Sequence, residues 1–287
     1  MATTTLHLNV RAAAAFAAAL GALTAVAAAE GASGSCALHL PPRLPARQIV
    51  VPILMYHRIN VVTPSTPAES RGLTVHPALF ARQMAWLKRQ GYRTITQREL
   101  FETLMCGRPL GPKPILITFD DGYRDVFFKA SPVLKRLGMR ATAYVVSGRI
   151  SGRDPSFLTW PLLHALEQRG IEIGSHTMAH LDMTSLSDAR MLEDLTRSRR
   201  VLERKLGHRV PWLAYPFGAY NPRVERLARQ AGYLLAVTTR PGALLSARRP
   251  FALPRLRVLD STSVRGLAAM LAPFAANRDQ AARGTAP

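Results

Sequence analysis

Four times along this chain a helical stretch ends at a glycine and a short apolar strand follows at once. Gly91 precedes Tyr92-Arg93-Thr94-Ile95-Thr96, Gly138 precedes Ala141-Thr142-Ala143-Tyr144-Val145-Val146, Gly170 precedes Ile171-Glu172-Ile173, and Gly232 precedes Tyr233-Leu234-Leu235-Ala236-Val237. Glycine supplies the left-handed residue that ends a helix before the next strand. Helix starts are marked too: Thr96 with Glu99 makes a capping box, Ser187 caps a long helix running to Leu206, and Asn221-Pro222 opens another. Pro77 opens a helix whose Leu79, Phe80, Met84 and Leu87 share a face and which closes at Gly91. Strands alternating with helices at this spacing run parallel and are joined by right-handed crossovers. The pattern predicts seven or eight strands in an α/β fold, which favours a closed or nearly closed barrel over an open sheet.

One strand carries the chemistry. Ile115-Leu116-Ile117-Thr118-Phe119 ends in Asp120-Asp121-Gly122-Tyr123, so two carboxylates stand where a buried parallel strand opens into its loop. Active sites of α/β folds lie at that end of the strands. Neighbouring aspartates repel unless a cation or a shared proton relieves them. The bland alternative is an Asp-Gly hairpin turn, but a helical pattern follows, not a second strand. The other predicted strand ends can be collected in the same way. A first strand over Ile49–His57, with Pro52 near its start, delivers His57; Ile171–Ser175 delivers His176 and, four residues on, His180; Trp212–Tyr215 leads into Pro216-Phe217-Gly218. Two histidines and an aspartate make a three-ligand set that leaves coordination positions open for water and substrate, as catalytic zinc or iron requires. His39, His76, His164 and His208 lack such company and read as ordinary surface or helix residues.

Composition sets the bounds. At 287 residues and 48% hydrophobic content the chain can bury one large core, and its formal charge of +20 is spread as arginines along the sequence, not gathered in a block. A solvated basic surface fits that spread better than a nucleic-acid site. Residues 1–29 read as an export signal: Arg11, an alanine-rich apolar run from Ala12, and Ala27-Ala28-Ala29 before Glu30, with cleavage expected after Ala29. The expected location is therefore periplasmic, extracellular or associated with the outer envelope. Residues 30–47 read as a proline-rich linker, 48–275 as the folded domain, and 276–287 as a loose tail; residues 60–75 form a polar loop. Cys36 and Cys106 are the only cysteines, and the sequence leaves open whether they pair or whether Cys36 carries a lipid.

At the strand-end residues the chain resembles the polysaccharide deacetylases of carbohydrate esterase family four, the NodB-homology domain. Thr118-Phe119-Asp120-Asp121-Gly122 is similar to that family's first motif, and Ser175-His176-Thr177-Met178-Ala179-His180 to its second, His-(Ser/Thr)-x-x-His. The resemblance spans roughly Val51 to Val258, with core motifs from 113 onward. It implies a distorted (β/α) barrel of about seven parallel strands, with the site at their C-terminal ends. It also implies hydrolytic removal of acetyl groups from an acetylated polysaccharide, with Asp120 as base and Asp121, His176 and His180 as metal ligands. The metal expected is a divalent ion, zinc first, with cobalt, nickel and iron as alternatives. The chain departs from the family at Ala214-Tyr215-Pro216-Phe217-Gly218, which lies where an Arg-Pro-Pro-Tyr-Gly motif should supply the arginine that orients the base. The usual late histidine is missing as well, since none follows His208. Tyr56-His57 and the Tyr-Pro-Phe-Gly stretch resemble instead the bacterial poly-N-acetylglucosamine deacetylase branch. Arg255, in Leu253-Pro254-Arg255, is the candidate for the lost arginine.

From these placements His57 is expected to protonate the leaving group, and the Phe217 backbone N–H to stabilise an oxyanion. Tyr215, Tyr220, Trp160 and Tyr123 are candidate faces for sugar rings, with core packing as the alternative. The expected substrate is poly-N-acetylglucosamine or a chitin-like oligomer, ahead of acetylxylan and peptidoglycan. A non-catalytic polysaccharide-binding envelope protein is the alternative from another class, and the oligomeric state is left open.

Overall fold

The structure, a computed structural model, describes residues 36–150 and 152–275. The expected export signal, the first residues of the expected linker and the expected tail lie outside that range. Eight parallel strands carry the fold: β1 (Ile53–Tyr56), β2 (Arg93–Thr94), β3 (Pro114–Phe119), β4 (Ala141–Val145), β5 (Ile171–Ser175), β6 (Trp212–Ala214), β7 (Leu235–Val237) and β8 (Leu256–Arg257). Seven of them follow one another in the order β7-β6-β5-β4-β3-β1-β8. β2 sits below β1 on the same edge of β3, pairing with Pro114 and Ile115 while β1 pairs with Leu116 to Phe119. The sheet curls until its ends meet through an irregular segment: Leu253 N–H donates to Ala236 O (3.0 Å) and Thr238 N–H to Leu253 O (2.9 Å). This is the distorted (β/α) barrel that the strand pattern and the motifs imply.

The helices begin and end where local chemistry dictates. The helix Pro77–Arg89 starts at a proline and is followed by Gly91 at φ +76°. α1, our label for Gln97–Cys106, carries the full Thr96–Glu99 capping box, and α2 (Asp188–Leu206) is capped by Ser187 and stopped by left-handed Gly207. Asn221 caps the helix Pro222–Gln230. After Asp120-Asp121-Gly122 the chain turns into a π-helical stretch, Val126–Ala130, that runs on into the helix Ser131–Leu137.

The two faces of each strand pack against different things. Ile115, Ile117 and Phe119 of β3 point outward into the core shared with the helices, beside Tyr56, Phe80 and Leu163. Leu116 points inward, where it meets Ile53, Tyr144 and Trp212. Below them Leu100, Phe101 and Leu104 of α1 enter the same interior cluster, so α1 closes the N-terminal end of the barrel.

Two expectations change at this lower end. The predicted strand Ile49–His57 is two strands, because Pro52 has no N–H to offer a ladder. Gln48–Val50 pairs antiparallel with Leu244–Ser246, and only Ile53–Tyr56 joins the barrel. The stretch expected as a linker up to residue 47 is, from Cys36 onward, part of the packed domain. Cys36 and Cys106 form a disulfide, Leu38, Leu40 and Leu44 pack against the interior cluster, and Arg47 Nη1 donates to Thr103 O (3.1 Å) and Leu104 O (2.8 Å).

Candidate active site

Adjacent residues on a strand point to opposite faces, yet both aspartates face the barrel mouth. Asp120 continues the inward series of Leu116 and Thr118. Asp121 comes back to the same side because its φ is +74°, a left-handed conformation that aspartate tolerates better than most residues. The described residues contain five non-glycine positions with positive φ, and Asp121, Thr177, His180 and Phe217 are four of them. Strain of this kind gathers where side chains must be aimed against the local regular structure. Gly122, at φ +81°, lies so close to β4 that a Cβ there would meet Val145 Cβ at 3.1 Å.

Asp120 is buried and held by one partner. Arg255 grips it with both ends of its guanidinium, Nη1 to Oδ1 at 2.7 Å and Nη2 to Oδ2 at 2.6 Å. The rest of the guanidinium is also committed: Nε donates to Thr238 O (2.8 Å) and Nη1 to Thr118 Oγ1 (3.1 Å). Burial alone would raise the Asp120 carboxyl, but the charge and hydrogen bonds of Arg255, with His176 and His57 nearby, hold it below the ordinary range. His57, at the end of β1, is buried with its Nδ1 unpartnered. Burial pushes its imidazole below the usual value, with Arg255 and Arg257 adding to the fall against the pull of Asp120 and Asp121.

Asp121, His176 and His180 offer one ligand atom each, all within 4.8 Å of one another. Asp121 Oδ1 lies 3.5 Å from His176 Nε2 and 3.2 Å from His180 Nε2. His176 Nδ1 donates to Ala214 O (2.8 Å), which orients the ring and turns Nε2 toward Asp121. Burial would raise the Asp121 carboxyl, yet its hydrogen bonds to His176 and His180 take it far below the usual carboxylate range. Two imidazole nitrogens and one ionised oxygen, converging on one point and oriented by an outer hydrogen bond, are a donor set that fits a divalent cation.

The remaining predicted residues divide. Phe217 (φ +59°) stands on the Pro216–Gly218 turn with its ring 4.8 Å from that of His180, so its backbone is at the cluster. Gly218 and Ala219 N–H groups are used on Tyr215 O and Pro216 O; Phe217 N–H has no such bond within the turn. Tyr215 is fully buried, stacked on Tyr220 with ring centroids 5.6 Å apart, and offers no face at the rim. Strand alternation explains this: Trp212 and Ala214 face the interior, which sends Leu213 and Tyr215 outward. Tyr220 is half-buried and its Oη accepts from Arg240 (3.0 Å). Trp160 is the first residue of the helix Trp160–Glu167 and packs on the outer core with Lys205 above its ring. Tyr123 is nearer the site, stacked on Phe157 and covered by the Arg58 guanidinium. Sequence reasoning missed Asp194, whose carboxylate accepts the backbone N–H groups of Met178 (2.8 Å) and Ala179 (3.1 Å), between the two ligand histidines. The available signal was an acid on the buried stripe of α2, among Met191, Leu195 and Leu202.

Known proteins resemble this chain in sequence and fold. The family model described as polysaccharide deacetylase matches residues 107–236. YxkH of Bacillus subtilis (strain 168), which carries the name of a polysaccharide deacetylase, is 34% identical over 213 residues, covering 74% of this chain and 73% of that protein. The poly-beta-1,6-N-acetyl-D-glucosamine N-deacetylase of Staphylococcus aureus (strain MRSA252) is 21% identical over 240 residues, covering 77% and 82%. Among solved structures, the Streptococcus pyogenes deacetylase PplD in complex with acetate superposes with a TM-score of 0.72 at 30% identity, covering 79% of this chain and 99% of that one. With a relative of that name 34% identical over 74% of its length, the chain belongs to the polysaccharide deacetylase family.

Proposed function

We propose that the protein is a metal-dependent hydrolase that removes acetyl groups from an N-acetylglucosamine-containing polysaccharide. One observation carries this reading: an aspartate locked by an arginine fork stands beside an Asp-His-His set at the open end of the barrel. Asp121, His176 and His180 would hold the cation, zinc being the first candidate. Bound there, a divalent ion supplies Lewis acidity toward the acetyl carbonyl and the attacking water. Asp120, ionised and aimed by Arg255, takes the water's proton. The Phe217 N–H donates to the oxygen on which negative charge develops. An amine leaves well only when protonated, and His57 is assigned that delivery, with the charges of Asp120 and Asp121 favouring its cationic form against the effect of burial. The poly-N-acetylglucosamine deacetylase relative supports a glucosamine backbone as the substrate.

Acetate release from N-acetylglucosamine oligomers by zinc-loaded protein tests the proposal. Chelation should abolish release and zinc should restore it. Asp121→Ala should lose the metal, and Asp120→Asn should keep it while losing turnover. Full activity after thorough chelation, or metal loss in both variants, contradicts the assignments. We also place the protein outside the cytoplasm, supported by the alanine-rich N-terminal sequence and the Cys36–Cys106 disulfide. N-terminal sequencing of the mature chain should begin near Glu30.

A further inference from the structure

Away from the mouth, on the flank of the barrel, a groove of about 840 Å³ runs along α2 beside the end of the helix Pro222–Gln230. Four arginines and a single acid, Glu193, are among the residues that line it. Glu193 is taken by Arg190 (3.0 Å), and Arg199 is taken by Glu203 (2.6 Å). Arg199 Nε also donates to Ala231 O (2.7 Å), which fastens α2 to the neighbouring helix and fixes one wall of the groove.

Arg197, Arg200 and Arg204 remain. At i, i+3 and i+7 they stand within about 60° of one another around the helix and span about 10 Å along it, so they enter the groove from one face. All three are exposed, and none has a hydrogen bond, ion pair or ring contact among the described residues. Arg200 and Arg204 are like charges four residues apart, an arrangement that weakens a helix. Folding gains nothing from them. The half-buried Leu192 and Val201 line the same groove. A smaller hollow shares Glu193 and Arg197 with it and reaches Met178 and Ala179, so the groove starts behind the loop that carries the ligand histidines.

The shape and lining select an occupant. A bilayer is a plane and would meet a projecting face, whereas these arginines line a hollow. Single-stranded nucleic acid binds through aromatic platforms for its bases, and no aromatic side chain is among the described residues that line the groove. A row of guanidinium groups along an apolar strip suits a strand with phosphate oxygens at intervals and uncharged links between them, since arginine forks match phosphate. We propose that this groove docks a linear phosphodiester-linked polymer, with Arg197, Arg200 and Arg204 each taking a phosphate. The polymer is a tether and not the substrate, so the docking stands or falls independently of the deacetylase reading.

A labelled synthetic oligomer of glycerol phosphate tests it, with binding read by fluorescence anisotropy over a salt series. Three phosphate contacts on a single strand predict a slope of about −2 for the logarithm of the binding constant against that of salt concentration. The triple variant Arg197→Gln, Arg200→Gln, Arg204→Gln should bind on the order of 10–100-fold more weakly and with a flatter slope. A control removes the same charge elsewhere, by Arg82→Gln, Arg89→Gln and Arg136→Gln at exposed positions on the helices Pro77–Arg89 and Ser131–Leu137; it should bind nearly as the native protein does. Equal loss in the two triple variants would show attraction by net charge alone and overturn the proposal. So would tighter binding of an oligonucleotide of matched charge, or groove-dependent binding of phosphatidylglycerol vesicles without binding of the oligomer. Acetate release from a soluble neutral oligomer should be unchanged in the groove variant; a fall there, with thermal stability unaltered, would make the groove part of the substrate cleft and end the tether.

Discussion

A carboxylate that takes a proton from water near neutral pH must be ionised and aimed, and Asp120 receives both from Arg255. Removing that partner leaves a buried acid whose desolvation is no longer opposed, so its pKa rises. Arg255→Gln should therefore lose roughly 10²–10⁴-fold in kcat, and the acid limb of the pH–rate profile should move to higher pH. Arg255→Lys restores the charge without the fork and should recover part of the loss. A thermal melt run alongside separates this from collapse of the fold, which breaking a buried pair can cause; a lower rate with an unmoved limb would make Arg255 merely structural. At this scale the sequence was legible wherever period two applied. It aimed Asp120 inward, and the same rule applied three strands further on turns Tyr215 outward, away from the rim where its nearness to a motif had suggested it. The positive φ values that bring Asp121 and His180 back into the mouth have no sequence signature of their own. Nor does the Asp120–Arg255 contact, which joins residues 135 apart in the chain; only the position of Arg255 near the last strand hinted at it.

Elements were legible in proportion to how local their signals are. Capping boxes, N-terminal prolines and glycine stops act within about four residues of where they are read, and Thr96, Ser187, Asn221 and Gly207 all cap or stop the helices they flank. What a helix does for its neighbours is less visible. α2 buries Met191, Leu195 and Leu202 as its pattern predicts, and it also buries Asp194 and Ser198. Ser198 joins a hydroxyl network with Ser147 (2.9 Å) and Ser175 (2.8 Å), while Asp194 pins the loop between the ligand histidines. Asp194 is thus a positioning residue. Asp194→Ala should weaken metal binding by about 10–100-fold, as loss of outer-shell support typically does, while both histidines remain in place. Competition with a chelator measures this, and Asp194→Asn, keeping one acceptor, should fall between. A variant with lower thermal stability but unchanged metal affinity would mean that Asp194 supports the helix alone.

On the scale of the whole molecule the barrel has a chemical end and a closing end. α1 looks in sequence like any crossover helix, and its place beneath the barrel follows from β2 being only two residues long and pairing with the bottom of β3. From Gln97 to Met105 most of its residues are buried, as befits a plug, and the Cys36–Cys106 disulfide fastens the chain's N-terminal segment to its last turn. Glu172, the second residue of β5, reaches this plug: its Oε2 accepts Gln97 N–H at 2.6 Å and Thr142 Oγ1 at 3.4 Å. Burial pushes its carboxyl up from 4.5 to about 7, against the pull of those hydrogen bonds. The sign of the linkage follows. Below 4.5 both the folded and the unfolded chain hold the proton; between 4.5 and about 7 the unfolded chain releases a proton that the folded chain keeps. Stability therefore falls as pH rises through that window and is level above it. Glu172→Gln retains an oxygen for Gln97 N–H and cannot ionise. It should match the native protein at about pH 4 and exceed it at about pH 8 by on the order of 1–3 kcal/mol. Denaturant midpoints at both pH values check this, and an equal shift at the two would show that Glu172 acts through packing, not through its charge.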